Sequence, residues 1–131
     1  MPDLTLPRGA RITRGNDVRR SFDLGRSSAS GPVVVYAYDR ADGRPPRLAL
    51  VVGRRWGDAV TRNRIRRLLR ESFRTCRPDL PVGFDLVLLP RGDFGTAKMP
   101  QIRDALCSAA RRAAKRYREE GPGTPRPREK R

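Results

Sequence analysis

Arg62-Asn63-Arg64-Ile65-Arg66-Arg67-Leu68-Leu69-Arg70-Glu71 is the stretch on which the reading of this chain turns. At about 100° per residue it forms one amphipathic helix. Ile65, Leu68 and Leu69, continued by Phe73 and Cys76, fall on an apolar arc, while Asn63, Arg66, Arg67, Arg70 and Arg74 fall opposite. A charged outer face is ordinarily a solvated face. Such a face mixes signs in i,i+4 pairs, whereas only Glu71 balances these arginines. The excess begins before the helix at Arg54-Arg55 and continues to Arg77. Like charges in a row repel one another, so they make most sense beside a polyanion.

The rest of the composition agrees. The chain has 131 residues, enough for one domain, and 37% hydrophobic residues can form a small core. Thirty Lys and Arg against fourteen acids leave a formal charge of +16. That excess points to nucleic acid or an anionic membrane surface and predicts salt-sensitive binding. Nearly all the cations are Arg, whose planar fork binds phosphate bidentately and stacks on bases. Genome base composition produces the same Arg bias.

There is no His, and Cys76 and Cys107 are the only cysteines. This excludes a standard four-ligand zinc site and His-based acid–base chemistry. The two cysteines are expected as buried, reduced thiols of a cytoplasmic protein, with a disulfide between them left open. Residues 1–7 lack a secretory apolar core, and no apolar run approaches a membrane span of ~20 residues.

Outward from the basic helix, Asp58 is its N-cap and Pro78 and Pro81 end it near Arg77. Upstream, Leu48–Val52 is a strand, apolar on both faces and hence expected to be central. Val33–Tyr38 is another, with Val34, Tyr36 and Tyr38 on one face and Val33, Val35 and Ala37 on the other. The turn Asp39–Arg47 suggests that these two pair as a hairpin. Asn16-Asp17 marks the start of a short helix that Gly25 ends, with Val18 and Phe22 on one side. Residues 26–32 read as a Ser/Gly/Pro linker with room for one short strand. Downstream lie a strand at Asp85–Pro90 and a helix from Pro100 to Arg118 carrying Ile102, Leu106, Ala109, Ala110 and Ala113 as its stripe. Residues 1–15 are expected as a basic, extended arm, 16–118 as one α+β domain, and 119–131 as a disordered Pro/Arg-rich tail.

The residues offer little catalytic chemistry. Gly53-Arg54-Arg55-Trp56-Gly57 lacks the Lys-Ser/Thr pair of a phosphate loop, and the acids are scattered. Binding chemistry remains. Phe22, Tyr36 and Tyr38 can stack unpaired bases beside a basic surface, although Phe22 is equally suited to a core. A structural RNA-binding protein shares the charge and the fold class. A membrane-surface protein could use the basic helix, but the flanking strands suggest its apolar arc packs on a sheet.

The segment Leu48-Ala49-Leu50-Val51-Val52-Gly53-Arg54-Arg55-Trp56-Gly57-Asp58-Ala59-Val60-Thr61-Arg62-Asn63-Arg64 and its basic continuation resembles the protein component of bacterial ribonuclease P. The likeness extends over roughly residues 8–118. It implies three helices around a four-stranded sheet, with a left-handed βαβ crossover that general handedness rules do not predict. It implies a subunit that helps a catalytic RNA remove the 5′ leader of precursor tRNA. Arg11, Arg14, Arg54, Arg55, Arg62, Asn63, Arg64, Arg66, Arg67 and Arg70 would then bind RNA, and Val18, Phe22, Tyr36 and Tyr38 the leader. The partners implied are the catalytic RNA and precursor tRNA, with no membrane and no small-molecule substrate. No cofactor would sit on the protein; magnesium would sit on the RNA. Two departures stand out: Val18 where the family often has Phe, and Asp58 where it has Asn.

Overall fold

The computed structural model describes residues 8–92 and 94–125. Its elements are α1 (Gly15–Leu24), β1 (Arg26–Ser30), β2 (Val33–Asp39), β3 (Arg47–Leu50), α2 (Ala59–Cys76), β4 (Phe84–Pro90) and α3 (Met99–Glu120). Short 3-10 turns precede α1, α2 and α3 and follow α2. The four strands form one mixed sheet in the order β1-β2-β4-β3. β1 and β4 both pair antiparallel with β2, and β3 runs parallel to β4. The β3-α2-β4 connection is therefore a βαβ crossover between neighbouring strands.

Alternation along β2 decides the layers. Val33, Val35 and Ala37 are buried, and they line up with Pro90, Leu88 and Leu86 of β4. α2 and α3 pack over this face, and Ile65, Leu69, Phe73, Ile102, Leu106 and the alanines of α3 complete the core. The opposite face carries Val34, Tyr36 and Tyr38, and α1 lies across it against β2 and β4.

The sheet corrects the expected hairpin. β2 and β3 do not pair, because β4 lies between them. The segment after β2 bonds to the start of β4 instead: the Arg40 N–H donates to the Gly83 carbonyl at 2.8 Å, and the Gly83 N–H to the Arg44 carbonyl at 2.6 Å. Nor is β3 the central strand its apolar sequence suggested; β4 takes that place, buried at every position except Leu89. The outer edge of β3 is occupied by the N-terminal segment. Arg11 bridges Leu48 in parallel, and the Ile12 N–H donates to the Leu48 carbonyl at 2.8 Å.

Residues 8–14, expected as part of a basic, extended arm, are thus docked against the sheet, with Ala10 buried; residues 1–7 lie outside the described residues. The segment 26–32, read as a linker with room for one short strand, does hold that strand. Its serines have weak β propensity, but Arg26–Ser30 pairs residue for residue with β2 through the backbone, and Gly31 turns the chain at φ +50°. α1 begins at Gly15 with Arg14 as an uncapped N-cap, so Asn16 and Asp17 lie inside the helix. The Asp17 carboxylate faces Arg20 and Arg47, at 3.5 and 3.6 Å, instead of the helix end. The tail also begins later than expected. α3 continues to Glu120, and the Gly123 N–H then donates to the Leu24 carbonyl at 2.7 Å. Residues 126–131 lie outside the described residues.

Gly25 does end α1, but in an extended conformation, so its glycine requirement is steric. A Cβ there would stand 2.2 Å from the Ser21 carbonyl oxygen and 2.8 Å from that of Ala37. Both are backbone atoms and cannot rotate away. Gly25→Ala is therefore expected to cost ~1–3 kcal/mol by overpacking, read as a lower melting temperature. An unchanged Tm would show that the α1–β2 corner relaxes freely.

Candidate nucleic-acid interface

α2 is built as its sequence predicts. The Asp58 carboxylate accepts from the Thr61 N–H at 2.9 Å and caps the first turn. That hydrogen bond holds the Asp58 pKa below its ordinary value. The cap is therefore present at neutral pH and is lost as pH falls through the depressed value. Ile65, Leu69, Phe73 and Cys76 are buried and Leu68 is partly buried, so the apolar arc faces the sheet. The 3-10 turn Arg54–Trp56 leads in, with Trp56 half-buried against the core and the Arg55 guanidinium 5.2 Å from its ring centre. Trp56 thus pins the start of the helix, while Arg54 and Arg55 stay exposed.

The outer surface is almost wholly cationic. Asn63, Arg64 and Arg67 are exposed, and Arg62, Arg66 and Arg70 are half-buried. The Asn63 side-chain oxygen accepts from Arg66 at 3.0 Å, so the asparagine orients a guanidinium. Among the described residues, none of Arg54, Arg55, Arg62, Arg64, Arg66, Arg67 and Arg70 forms an ion pair. Glu71, the one acid of the helix, is taken by Arg74 at 3.1 Å. Arg77 donates to the Pro46 carbonyl at 3.2 Å. The unpaired row therefore ends at Arg70, shorter than the sequence suggested. Arg11 and Arg14 are exposed, on the segment beside β3 rather than on α2.

The aromatic residues divide into two groups. The Phe22 and Tyr36 rings meet edge-on, with centroids 4.8 Å apart, between α1 and the open face of β2. Val18, one turn earlier on α1, is half-buried. Tyr38 is committed elsewhere: the Arg20 guanidinium lies 4.4 Å from its ring centre, and Tyr117 meets it edge-on at 5.9 Å. Phe22 and Tyr36 form one platform, and one face of Tyr38 is already occupied.

A buried ionic cluster anchors this side of the sheet, and sequence reasoning missed it. Asp85 is fully buried on β4. One oxygen accepts from Arg40 at 2.8 Å and from Arg47 at 2.7 Å; the other accepts from Arg47 at 2.8 Å and lies 3.8 Å from Arg20. The Asp85 hydrogen bond holds the Arg47 pKa above its ordinary value. Arg20 and Arg47 also meet Asp17, so the cluster joins α1 to β3 and β4. The sequence did carry a signal: a carboxylate inside the apolar run of β4 must be paired if it is buried.

Cys76 is buried and Cys107 half-buried, both as free thiols. Burial, then the hydrogen bond with Cys107, pushes the Cys76 thiol far up, so it is not a thiolate nucleophile. Among the described residues no three His, Cys, Asp or Glu side chains converge as a metal site, and no helix is long and apolar enough to cross a membrane.

The class defined by fold and surface is a small α+β frame that presents, among the described residues, a row of guanidiniums without acid partners. The family model described as Ribonuclease P matches residues 6–114, and the chain belongs to that family. The ribonuclease P protein component of Oleidesulfovibrio alaskensis is 37% identical, over 80% of this chain and 95% of that protein. The component from Xanthomonas euvesicatoria is also 37% identical, over 94% of this chain and 83% of its own length. Among solved structures, the RNase P protein of Thermotoga maritima matches with a TM-score of 0.70 at 30% identity, covering 78% of this chain and 96% of that one. That of Staphylococcus aureus matches with a TM-score of 0.69 at 28% identity, covering 79% and 94%.

Proposed function

We propose that this chain binds the catalytic RNA of ribonuclease P through α2 and its leading turn, and binds the 5′ leader of precursor tRNA between α1 and β2. The observation that carries the reading is the unpaired guanidinium row from Arg54 to Arg70. Packing fixes the helix axis, so the guanidiniums are anchored along one line that a phosphate backbone can follow. Arg11 and Arg14 extend the charge along the β3 edge.

The Phe22–Tyr36 platform supplies the discrimination. A precursor carries unpaired leader nucleotides that can stack there, and the mature product does not. The protein thereby favours substrate over product. Magnesium ions on the RNA supply the hydrolytic chemistry by positioning water and stabilising the leaving oxygen. This chain itself takes no cofactor, and the complex works in the cytoplasm.

The deciding experiment is cleavage of a 5′-extended precursor tRNA at low magnesium by the cognate catalytic RNA, with and without this protein. Rescue of correct cleavage, with none by the protein alone, is the expected result. RNA binding without rescue would identify a general RNA-binding protein instead. Phe22→Ala or Tyr36→Ala is expected to weaken precursor binding by ~1–3 kcal/mol, roughly 5- to 150-fold, and to leave mature tRNA unaffected. Equal losses for both RNAs would remove the leader from this site.

A further inference from the structure

The C-terminal half of α3 carries a second cationic surface that the reading above does not use. Arg111, Lys115 and Arg118 fall within about 60° of arc at 100° per residue, with Arg112 beside them, opposite the buried stripe Ile102, Ala109, Ala113. All four cations are exposed. A solvated helix face would alternate signs at i,i+4. Two such pairs do close the helix, Lys115–Glu119 at 4.0 Å and Arg116–Glu120 at 3.0 Å. One turn earlier the pattern reverses: Arg111 precedes Lys115 and Arg112 precedes Arg116, like charges at i,i+4 that work against the helix. Arg111, Arg112 and Arg118 form no ion pair among the described residues.

The surface also lacks what other partners need. The exposed large hydrophobic residues among those described are Val60 and Val82, neither of them on α3. A protein interface depends on apolar and aromatic anchors, and a membrane-surface helix on an apolar face to insert. A surface of guanidiniums without such anchors fits a phosphate backbone.

It is also a separate surface from α2. Ser72 of α2 meets Met99 of α3 at 3.0 Å, and the Cys76 thiol meets that of Cys107. Residue numbers rise together along the contact, so the helices run in the same sense. Arg62–Arg70 precede the crossing on α2. Arg111 lies twelve positions beyond Met99, ~18 Å along the axis at 1.5 Å per residue. The two cationic surfaces therefore lie on opposite sides of the crossing.

We infer that the outer face of α3, through Arg111 and Arg112, is a second binding surface for the phosphodiester backbone of structured RNA. It grips a segment other than the one held by α2. The inference deepens the proposed function, which supplies the RNA, and makes the protein a bridge between two RNA segments.

The test is filter binding of the full chain to its catalytic RNA from ~50 to ~200 mM monovalent salt. Four proteins are compared: wild type, R111A/R112A, R111K/R112K, and the α2 variant R64A/R66A/R67A. Arg118 is left in place because its guanidinium lies 5.2 Å from the Phe84 ring centre and lines the core edge. R111A/R112A is expected to bind about tenfold more weakly and to lower the log–log salt slope by roughly one to two, at ~0.7–0.9 per phosphate. R111K/R112K should restore most of the slope, because Lys retains the charge. Wild-type affinity and slope for R111A/R112A, beside a weakened α2 variant, would overturn the inference and leave the α2 assignment standing. A weakened R111A/R112A beside an unaffected α2 variant would do the reverse.

Discussion

Alanine at Arg64, Arg66 and Arg67 together is expected to weaken assembly with the catalytic RNA by on the order of 10²-fold at physiological salt. The three guanidiniums stand on one fixed helix and form no ion pair among the described residues. At up to about 1 kcal/mol per exposed charge contact, three contacts total ~3 kcal/mol, or a little over two decades in affinity. The log–log salt slope should fall by roughly two to three, at ~0.7–0.9 per phosphate released. Stability should hardly change, because none of the three supports the core. Among the described residues Arg66 donates only to Asn63. Binding isotherms at several salt concentrations separate the two quantities. A loss of affinity with an unchanged slope would mean that the variant perturbs the fold rather than removing phosphate contacts.

Asp85→Asn is expected to have the largest effect on stability. The Asp85 carboxylate is fully buried, and its oxygens are shared by Arg40 and Arg47, with Arg20 alongside. Asparagine keeps the shape but removes the charge and leaves guanidiniums facing one another. Removing one partner from a buried ionic cluster costs ~3–5 kcal/mol. For a chain of this size that is a fall in Tm of roughly 10–20 °C. The cost should sit toward the lower end, because Arg47 is about a quarter exposed and water offsets part of its loss. Thermal unfolding followed by circular dichroism measures it. A functional consequence accompanies the loss of stability. Arg20 and Arg47 tie α1 to the sheet through Asp17 and Asp85, so the spacing between Phe22 and Tyr36 depends on the cluster. Precursor preference should therefore fall more than affinity for the catalytic RNA. A Tm within a degree or two of wild type would show that the arginines relax into solvent.

The two predictions act on sites of different legibility. The α2 surface could be read from the chain because a helix is a local object. Its faces follow from 3.6-residue periodicity, and its start from Asp58 three residues before Thr61. The basic excess read as far as Arg77 does not stay unpaired throughout, since Glu71 and Pro46 take up Arg74 and Arg77. The aromatic pair of Phe22 and Tyr36 was legible in part. Alternation placed Tyr36 and Tyr38 on one face of β2, but it could not show Arg20 lying over Tyr38. The Asp85 cluster was not legible as a cluster, because its partners come from α1, from the segment after β2 and from β3.

The sequence by itself determined the positions of the helices, β2 and β4, the two faces of α2, and the lack of a conventional catalytic set. Each of these depends on residue type and on neighbours within a few positions. Only the tertiary structure decided that β4 separates β2 from β3, that Arg26–Ser30 is a strand, that residues 8–14 close the outer edge of β3, and that Asp85 binds three arginines. Those outcomes depend on which backbone and charged groups, tens of residues apart in the chain, compete for the same partners once the core has closed. A local pattern can reveal that a group needs a partner, but only the fold selects which one it receives.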